Sequence, residues 1–192
     1  MNDGPKPSTT VSLQDVQARW AYGEIIDSNF SACYDNPFCQ NQLDALRNKR
    51  RSGVGFAELT VEDRQCLAFM CRCVRTGLLT FVARLDHFRE IPLSKTDLAT
   101  LLVPRAVSNL PVMPFMLYID RPCSEQGDAR NASLTPGGYH APADPLTVGR
   151  FSNKLVLIDG YHRAASFWKF APEGSSIWAY IPDPCIRKAD ED

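Results

Sequence analysis

Apolar side chains recur at helical spacing through the first part of the chain. From Leu13 to Tyr34 this period predicts one helix, with Ser12 as its N-cap. A second, more polar helix is predicted from Gln40 to Arg51, where a serine and a glycine follow as a stop signal. A third helix is predicted to begin at Thr60, because Asp63 completes a capping pattern three residues later.

Beyond the third helix the pattern changes to that of a sheet with short helices. Phe88 to Leu93 alternates between apolar and polar residues, which predicts a strand. Ser94 is expected to cap a short helix that reaches Leu102. Val112 to Ile119 is a further strand candidate, in which Pro114 restricts the strand to a sheet edge or a bulge.

A short apolar run followed directly by a helix-compatible stretch stands late in the chain. Leu155 to Ile158 predicts a buried strand that ends in a tight turn at Asp159-Gly160. A helix backed by aromatic residues follows from Tyr161, and Ser176 to Pro182 predicts another strand. The helix therefore begins at the carboxyl end of the strand, where its first amides lack intrahelical partners and favour an anion.

Two cationic side chains, His162 and Arg163, fall in the first turn of that helix. Cations at this end oppose the helix dipole, so their presence is explained if a phosphate or carboxylate lies between them. The alternative is purely structural. In that case Asp159 caps the helix, Gly160 permits the turn, and the two cations are solvated.

These predictions describe an α+β protein with four parts. They are a flexible leader at residues 1–12, a helical region of about three helices at 13–85, an α/β core at 86–185 and an acidic tail at 186–192. Within the core, residues 121–148 form a long loop containing Gly137-Gly138-Tyr139-His140, which either closes over a ligand or is simply mobile.

The composition is that of a globular protein: 44% of the 192 residues are apolar, and the formal net charge is −1. The balanced charge argues against non-specific nucleic-acid binding as the main activity. The basic triplet Lys49-Arg50-Arg51 either contacts nucleic acid or phosphate, or complements the dipole at the end of its helix. No apolar run is long enough to span a membrane and no signal-peptide pattern is present, so we predict a cytoplasmic protein without membrane contact.

Seven cysteines, an odd number, are spread along the chain. They are interpreted as reduced thiols, since no signal-peptide pattern precedes them. Cys66 and Cys73 share one face of the third helix, and a zinc site would recruit them together with His87. No pair has Cys-x-x-Cys spacing, so buried free thiols are the favoured interpretation.

The order of strand, Asp159-Gly160-Tyr161-His162-Arg163-Ala164-Ala165, helix and strand resembles the phosphate-binding core of the ParB/sulfiredoxin-like superfamily. Its members include chromosome-partition proteins that bind CTP, sulfiredoxins that bind ATP, and free-serine kinases that use ADP or ATP. The resemblance extends at most over residues 88–182 and is firm from 148 to 182. It implies a small core with a mixed sheet.

Departures from the superfamily pattern narrow what the resemblance implies. Sulfiredoxins carry their reactive cysteine where this chain has Tyr161, which argues against sulfinic-acid repair. Partition proteins have several arginines in this segment, whereas here only Arg163 is present, with Arg150 nearby in sequence. The free-serine kinases look most similar, through Asp159 to His162.

The resemblance also implies residue roles. Asp159 would hold Mg²⁺ beside a triphosphate or act as a base toward a hydroxyl, His162 would be catalytic, and Glu90 would supply a further catalytic carboxylate. The residues expected to bind the nucleotide phosphates are Gly160, Tyr161, His162, Arg163 and Arg150.

The predicted function is therefore that of a nucleotide-binding protein, an NTP hydrolase or a small-molecule phosphotransferase that uses ATP, ADP or CTP with Mg²⁺. One alternative is a nucleotide-gated regulatory protein linked to DNA, of the partition type, which the neutral net charge disfavours. Another is an interaction protein that binds a partner through its N-terminal helices and retains a vestigial pocket.

Overall fold

The computed structural model describes residues 9–26, 40–75, 81–82, 85, 87–104, 112–119 and 144–183. Their contacts form two compact units, one within residues 11–85 and the other comprising residues 9–10 and 87–183. The described residues form six α-helices and a seven-stranded mixed sheet, which confirms the mixed α and β class. Over the described ranges, no helix combines the length and apolarity that crossing a membrane would take.

Three α-helices and one short 3₁₀ turn make up the described part of the helical unit. They are α1 (Leu13–Glu24), α2 (Gln40–Arg51), the 3₁₀ turn (Phe56–Glu58) and α3 (Val61–Val74). The predicted bounds of α2 are confirmed. The predicted cap of α1 is also confirmed, because the Ser12 hydroxyl accepts a hydrogen bond from the Asp15 amide at 3.1 Å.

The predicted extension of the first helix to Tyr34 is wrong, because α1 ends at Glu24 and Ile25 and Ile26 lie in a turn. The Ile25 side chain is fully buried. Its carbonyl accepts a hydrogen bond from Arg47 Nε of α2 at 3.1 Å. A tertiary contact thus satisfies a carbonyl at the helix end, where the sequence period alone suggested continuation. Residues 27–34 lie outside the described part.

The stop signal after α2 works through a left-handed glycine. Gly53 has a φ of 81°. Its amide donates to the carbonyl of Arg50, and the Val54 amide donates to the carbonyl of Lys49, both at 3.1 Å. These two bonds form a Schellman motif, which closes the last turn of the helix.

The basic triplet at the end of α2 contacts its own unit. Lys49 Nζ lies 2.6 Å from the Asp63 carboxylate on α3. The Arg50 guanidinium carbon lies 5.2 Å from the centre of the Tyr22 ring on α1. These contacts favour the structural interpretation of the triplet over contact with nucleic acid.

The predicted capping pattern of α3 is confirmed. The Thr60 hydroxyl accepts a hydrogen bond from the Asp63 amide, and the Asp63 carboxylate accepts one from the Thr60 amide, both at 3.1 Å. Of the cysteines on this helix, Cys71 is buried, Cys66 is half-buried and Cys73 is exposed. The buried-thiol interpretation therefore holds for Cys71 and not for Cys73.

The sheet has the strand order β1-β2-β7-β5-β6-β3-β4. Its strands are β1 (Thr10–Ser12), β2 (His87–Leu93), β3 (Leu102–Pro104), β4 (Val112–Pro114), β5 (Leu146–Phe151), β6 (Lys154–Asp159) and β7 (Ile177–Pro182). The pairs β2–β7, β5–β6 and β3–β4 are antiparallel, whereas β5–β7 and β3–β6 are parallel.

Three helices accompany the sheet: α4 (Lys95–Thr100), α5 (Phe115–Ile119) and α6 (Tyr161–Phe170). They bury their apolar side chains with alternate residues of the strands, such as Ile177 and Ala179 of β7. The largest fully buried side chains of this core are Leu98, Phe115, Leu146 and Phe167. This core fixes α6 against the sheet and thereby positions the end of β6.

Two predicted boundaries that differ from the structure are those of the leader and of the helix that Ser94 caps. The leader predicted at residues 1–12 is shorter, since Thr10–Ser12 form β1 and Thr9 accepts a backbone hydrogen bond from Glu90 at 3.2 Å. The helix predicted from Ser94 to Leu102 keeps its cap but ends at Thr100. Leu102 instead pairs with Val156 of β6, so sheet pairing replaces the last helical turn.

The strand predicted at Val112–Ile119 is limited to its first three residues. Phe115 begins α5, and its amide donates to the carbonyl of Leu101 at 2.9 Å. Pro114 has no amide hydrogen with which to continue a ladder. Its predicted edge position is confirmed, because β4 is the last strand of the sheet.

The loop predicted at residues 121–148 is also shorter at its end. Leu146 and Thr147 already belong to β5, where they pair with Ala179 and Tyr180 of β7. Residues 120–143, which include the predicted Gly137–His140 segment, lie outside the described part.

The cap of α3 generates a prediction about acid stability. Burial alone raises the pKa of the Asp63 carboxyl, but the hydrogen bonds from Lys49 and from the Thr60 amide outweigh it and hold that pKa below its usual value. This contribution to stability is present above the unfolded-state pKa of about 3.9 and is lost as pH falls through the folded-state pKa. We expect Asp63→Asn to lower the free energy of unfolding at pH 7 by about 1 kcal/mol.

Urea unfolding at several pH values measures this effect, and Asp63→Asn should also flatten the loss of stability below about pH 4. Glu62→Gln is the matched control, because Glu62 is an exposed carboxylate in the same helical turn. Equal effects of the two substitutions would contradict a specific role for Asp63.

Candidate anion-binding corner

The corner joins the end of β6 to the start of α6 through one residue. Val156, Leu157 and Ile158 are buried, so the strand is anchored on both faces. Gly160 is the N-cap of α6, and its carbonyl accepts the first helical hydrogen bond, from the Ala164 amide at 2.8 Å. The three amides before that bond have no intrahelical acceptor, and the positive end of the helix dipole lies there.

A register shift sets the direction of Asp159. Thr147 of β5 is opposite Asp159, whereas Val148 is opposite Leu157, so Ile158 is an extra residue in β6. Such a bulge turns the side chain that follows it and often ends regular pairing. Asp159 thus leaves the strand directed toward the helix that begins two residues later.

Glycine is required at position 160 for two separate reasons. Its φ of 92° lies in the left-handed region, which L side chains rarely adopt. In addition, a Cβ there would lie 2.5 Å from Leu146 Cδ2 and 3.1 Å from Arg163 Nη2. The close approach shows that the Arg163 guanidinium lies directly over the backbone of the corner.

Arg163 connects three segments of the chain. Its Nη2 donates to Asp159 Oδ2 at 2.7 Å. Its Nη1 donates to the carbonyls of Asp144 at 2.5 Å and Pro145 at 2.9 Å. We call this arrangement the Arg163 clamp: the Arg163 guanidinium, the Asp159 carboxylate, and the carbonyls of Asp144 and Pro145. It ties the end of β6 and the first turn of α6 to the chain that enters β5.

The two charged side chains of the clamp are partly exposed. The side chain of Arg163 is 29% exposed and that of Asp159 is 21% exposed. An ion pair with this exposure contributes about 1 kcal/mol or less to stability. The Arg163 side chain is therefore held in place without being fully buried.

The predicted phosphate-binding residues at the corner have different surroundings. Tyr161 directs its hydroxyl back to the Ile158 carbonyl at 3.1 Å, and its ring centre lies 5.8 Å from that of Tyr118. His162 is half-buried in the first helical turn. Arg163 and the His162 imidazole thus remain as the basic side chains at the corner, whereas Tyr161 packs against Tyr118.

Glu90 lies away from the corner. It is opposite Tyr180 of β7, Tyr180 is opposite Thr147 of β5, and Thr147 is opposite Asp159. Two strands separate the two carboxylates, a distance of about 14 Å between backbones at the usual strand spacing. The structure therefore does not bring Glu90 together with Asp159 at the corner.

Arg150 is also remote from the corner. It pairs with Leu155, three residues along β5 from Thr147, which is about 10 Å at the usual rise per residue. Its Nε is buried and makes no hydrogen bond. Its position near the β5–β6 turn separates it from the first turn of α6.

The residues at the corner suit a metal ion that arrives bound to a nucleotide better than an ion held by protein ligands alone. Within the ranges that the structure describes, no group of three or more histidine, cysteine, aspartate or glutamate side chains is arranged to hold a metal. Mg²⁺ typically binds one or two carboxylates, substrate phosphates and water. Asp159 can supply one such oxygen, and the remaining ligands would have to come from phosphate and solvent.

Sequence reasoning missed the partners of Arg163. The carbonyls of Asp144 and Pro145 are backbone atoms, which carry no signal in the sequence. The pairing of Arg163 with Asp159 did have a signal in the sequence, because the two residues have opposite charges and are four positions apart at the start of a helix.

The close packing at Gly160 generates a prediction about stability. We expect Gly160→Ala to lower the free energy of unfolding by about 3 kcal/mol, because the new methyl group meets Leu146 and Arg163 in addition to the backbone strain. Gly174→Ala is the matched control, since Gly174 has a φ of 79° and no atom lies within 4 Å of the added Cβ. The control should lose only about 1 kcal/mol.

Urea unfolding of the two variants measures the difference. Equal losses would show that positive φ alone determines the cost at position 160, which would contradict the close approach of Leu146 and Arg163.

Comparisons with known proteins identify no relative of this chain. No family model, no curated protein and no solved structure matches the chain. The proposed function therefore rests on the residues of the corner and their contacts.

Proposed function

We propose that this protein binds a nucleotide through the corner between β6 and α6, as a ParB/sulfiredoxin-like protein that hydrolyses the nucleotide or transfers its phosphoryl group. The observation that carries the proposal is the location of the Arg163 guanidinium. It lies over the backbone of a glycine at the start of a helix, next to His162 in sequence, on a side chain that is 29% exposed.

Three features of the corner favour phosphate oxygens. Gly160 has no side chain, which allows the Arg163 guanidinium to lie against the backbone at the start of the helix. The first-turn amides and the helix dipole attract negative charge. Arg163 adds a cationic side chain with the planar donor geometry that suits phosphate, and His162 adds an imidazole that can donate a hydrogen bond.

The chemistry of such a site is mainly positioning and charge neutralisation. In phosphoryl transfer to water or to a small hydroxyl compound, the protein holds the phosphates in line and neutralises their charge. Mg²⁺ carried by the nucleotide would neutralise the phosphate oxygens further. Asp159 is the carboxylate at the corner that can hold this ion or accept the proton of the attacking hydroxyl, in either case after it releases Arg163.

Fewer residues are proposed to contact phosphate than the sequence alone suggested. His162, Arg163 and the backbone at Gly160 form the phosphate contacts. Glu90 and Arg150 are left out, because their strands place them about 14 Å and 10 Å from the corner.

Nucleotide binding generates a prediction for His162. We expect at least one of ATP, ADP, CTP and GTP with Mg²⁺ to raise the melting temperature of the wild type by several degrees, since a ligand at one hundred times its Kd stabilises by about 2.7 kcal/mol. His162→Ala should bind about tenfold more weakly, because a charged hydrogen bond to phosphate is lost. Thermal shift finds the nucleotide and isothermal titration calorimetry measures its affinity.

Lys169→Ala is the control, because Lys169 is a cation in the last turn of the same helix. Its affinity should equal that of the wild type. Absence of any shift with all four nucleotides, or equal weakening by both substitutions, would contradict binding at the corner.

A further inference from the structure

We propose that Asp159 competes with the bound anion for Arg163, so that the Arg163 clamp restrains ligand binding at the corner. This inference rests on the proposed function, and it assigns a regulatory role to a contact within the fold. The contact in question is the ion pair between Arg163 Nη2 and Asp159 Oδ2 at 2.7 Å.

The Arg163 guanidinium has acceptors of two kinds. Nη1 donates to two backbone carbonyls, and Nη2 donates to a carboxylate. A carboxylate oxygen resembles a phosphate oxygen in charge and in acceptor geometry. Asp159 therefore occupies, from within the chain, the kind of contact that a ligand phosphate would make with Nη2.

Exchange of this partner requires little movement of Arg163. The Nη1 contacts with the carbonyls of Asp144 and Pro145 do not involve Asp159 and can persist when Nη2 changes its acceptor. Nη2 already lies 3.1 Å from the Cβ position that Gly160 lacks, close to the first turn of α6. The guanidinium is thus prepared for an anion at the corner, and the carboxylate beside it is what opposes binding.

Removal of the Asp159 charge should have opposite effects on the stability of the fold and on its affinity for an anion. The ion pair stabilises the ligand-free fold, so removal of the Asp159 charge should lower stability. The same charge repels an incoming phosphate and holds Nη2, so its removal should raise anion affinity. A substitution that only damaged the fold would lower both the stability and the anion affinity.

The test compares Asp159→Asn with the wild type, using ATP in the presence of EDTA so that no metal role of Asp159 contributes. Asparagine keeps the shape of the side chain and removes its charge. We expect calorimetry to show ATP affinity about five- to tenfold higher in Asp159→Asn, within the usual range for coupled sites. Urea unfolding without ligand should show a lower midpoint than the wild type.

Asp97→Asn is the matched control. Asp97 is a carboxylate of the α4 capping box in the same unit, where hydrogen bonds from the Ser94 hydroxyl and amide hold its pKa below the usual value. Its substitution removes the same charge and weakens the fold away from β6 and α6. ATP affinity of this variant should stay within twofold of the wild type.

The outcomes separate the two proposals. If the wild type binds ATP and Asp159→Asn binds equally or more weakly, the competition is wrong and the proposed function stands. If Asp159→Asn gains no more affinity than Asp97→Asn, the effect is one of net charge and the competition is again wrong. Absence of ATP binding in EDTA by both the wild type and Asp159→Asn overturns the competition, and only absence of binding with Mg²⁺ as well overturns the proposed function. Binding by Asp159→Asn alone supports the competition.

Discussion

The contact between Arg163 and its three acceptors is the constraint on which the candidate site depends. One guanidinium joins the end of β6, the first turn of α6 and the chain entering β5. These segments converge only because Gly160 lacks a side chain and has a positive φ. A carboxylate before the glycine and an arginine three residues after it then meet across the turn.

The partial exposure of the clamp places its ion pair between two energetic limits. A fully buried ion pair is costly to separate, because each charge would be left without a partner in a poorly polar environment. A fully exposed pair contributes little and holds nothing in place. With exposures of 29% and 21%, Arg163 and Asp159 lie between these limits. The pair can therefore position the corner without the full desolvation cost of a buried pair.

Local signals in the sequence predicted the ends of several elements correctly. The interactions that set these ends lie within a few residues of each other. Helix α2 ends where Gly53 forms a Schellman motif, and α3 begins where Thr60 and Asp63 cap each other. The β6–α6 corner was predicted from an apolar run, a glycine and an aromatic-backed helix. The predicted helix ends were wrong where a residue distant in sequence determines the local structure. Leu102 pairs with Val156, and the Ile25 carbonyl accepts a hydrogen bond from Arg47.

The sequence by itself determined that a strand gives way to a helix at Gly160 with Asp159, His162 and Arg163 beside it, because glycine chemistry and helix periodicity act over short distances. Only the tertiary structure decided which atoms Arg163 contacts and that Glu90 and Arg150 lie elsewhere in the sheet. Strand order and register arise from pairing between segments far apart in the chain, and a single sequence read locally does not encode these distances in any visible pattern.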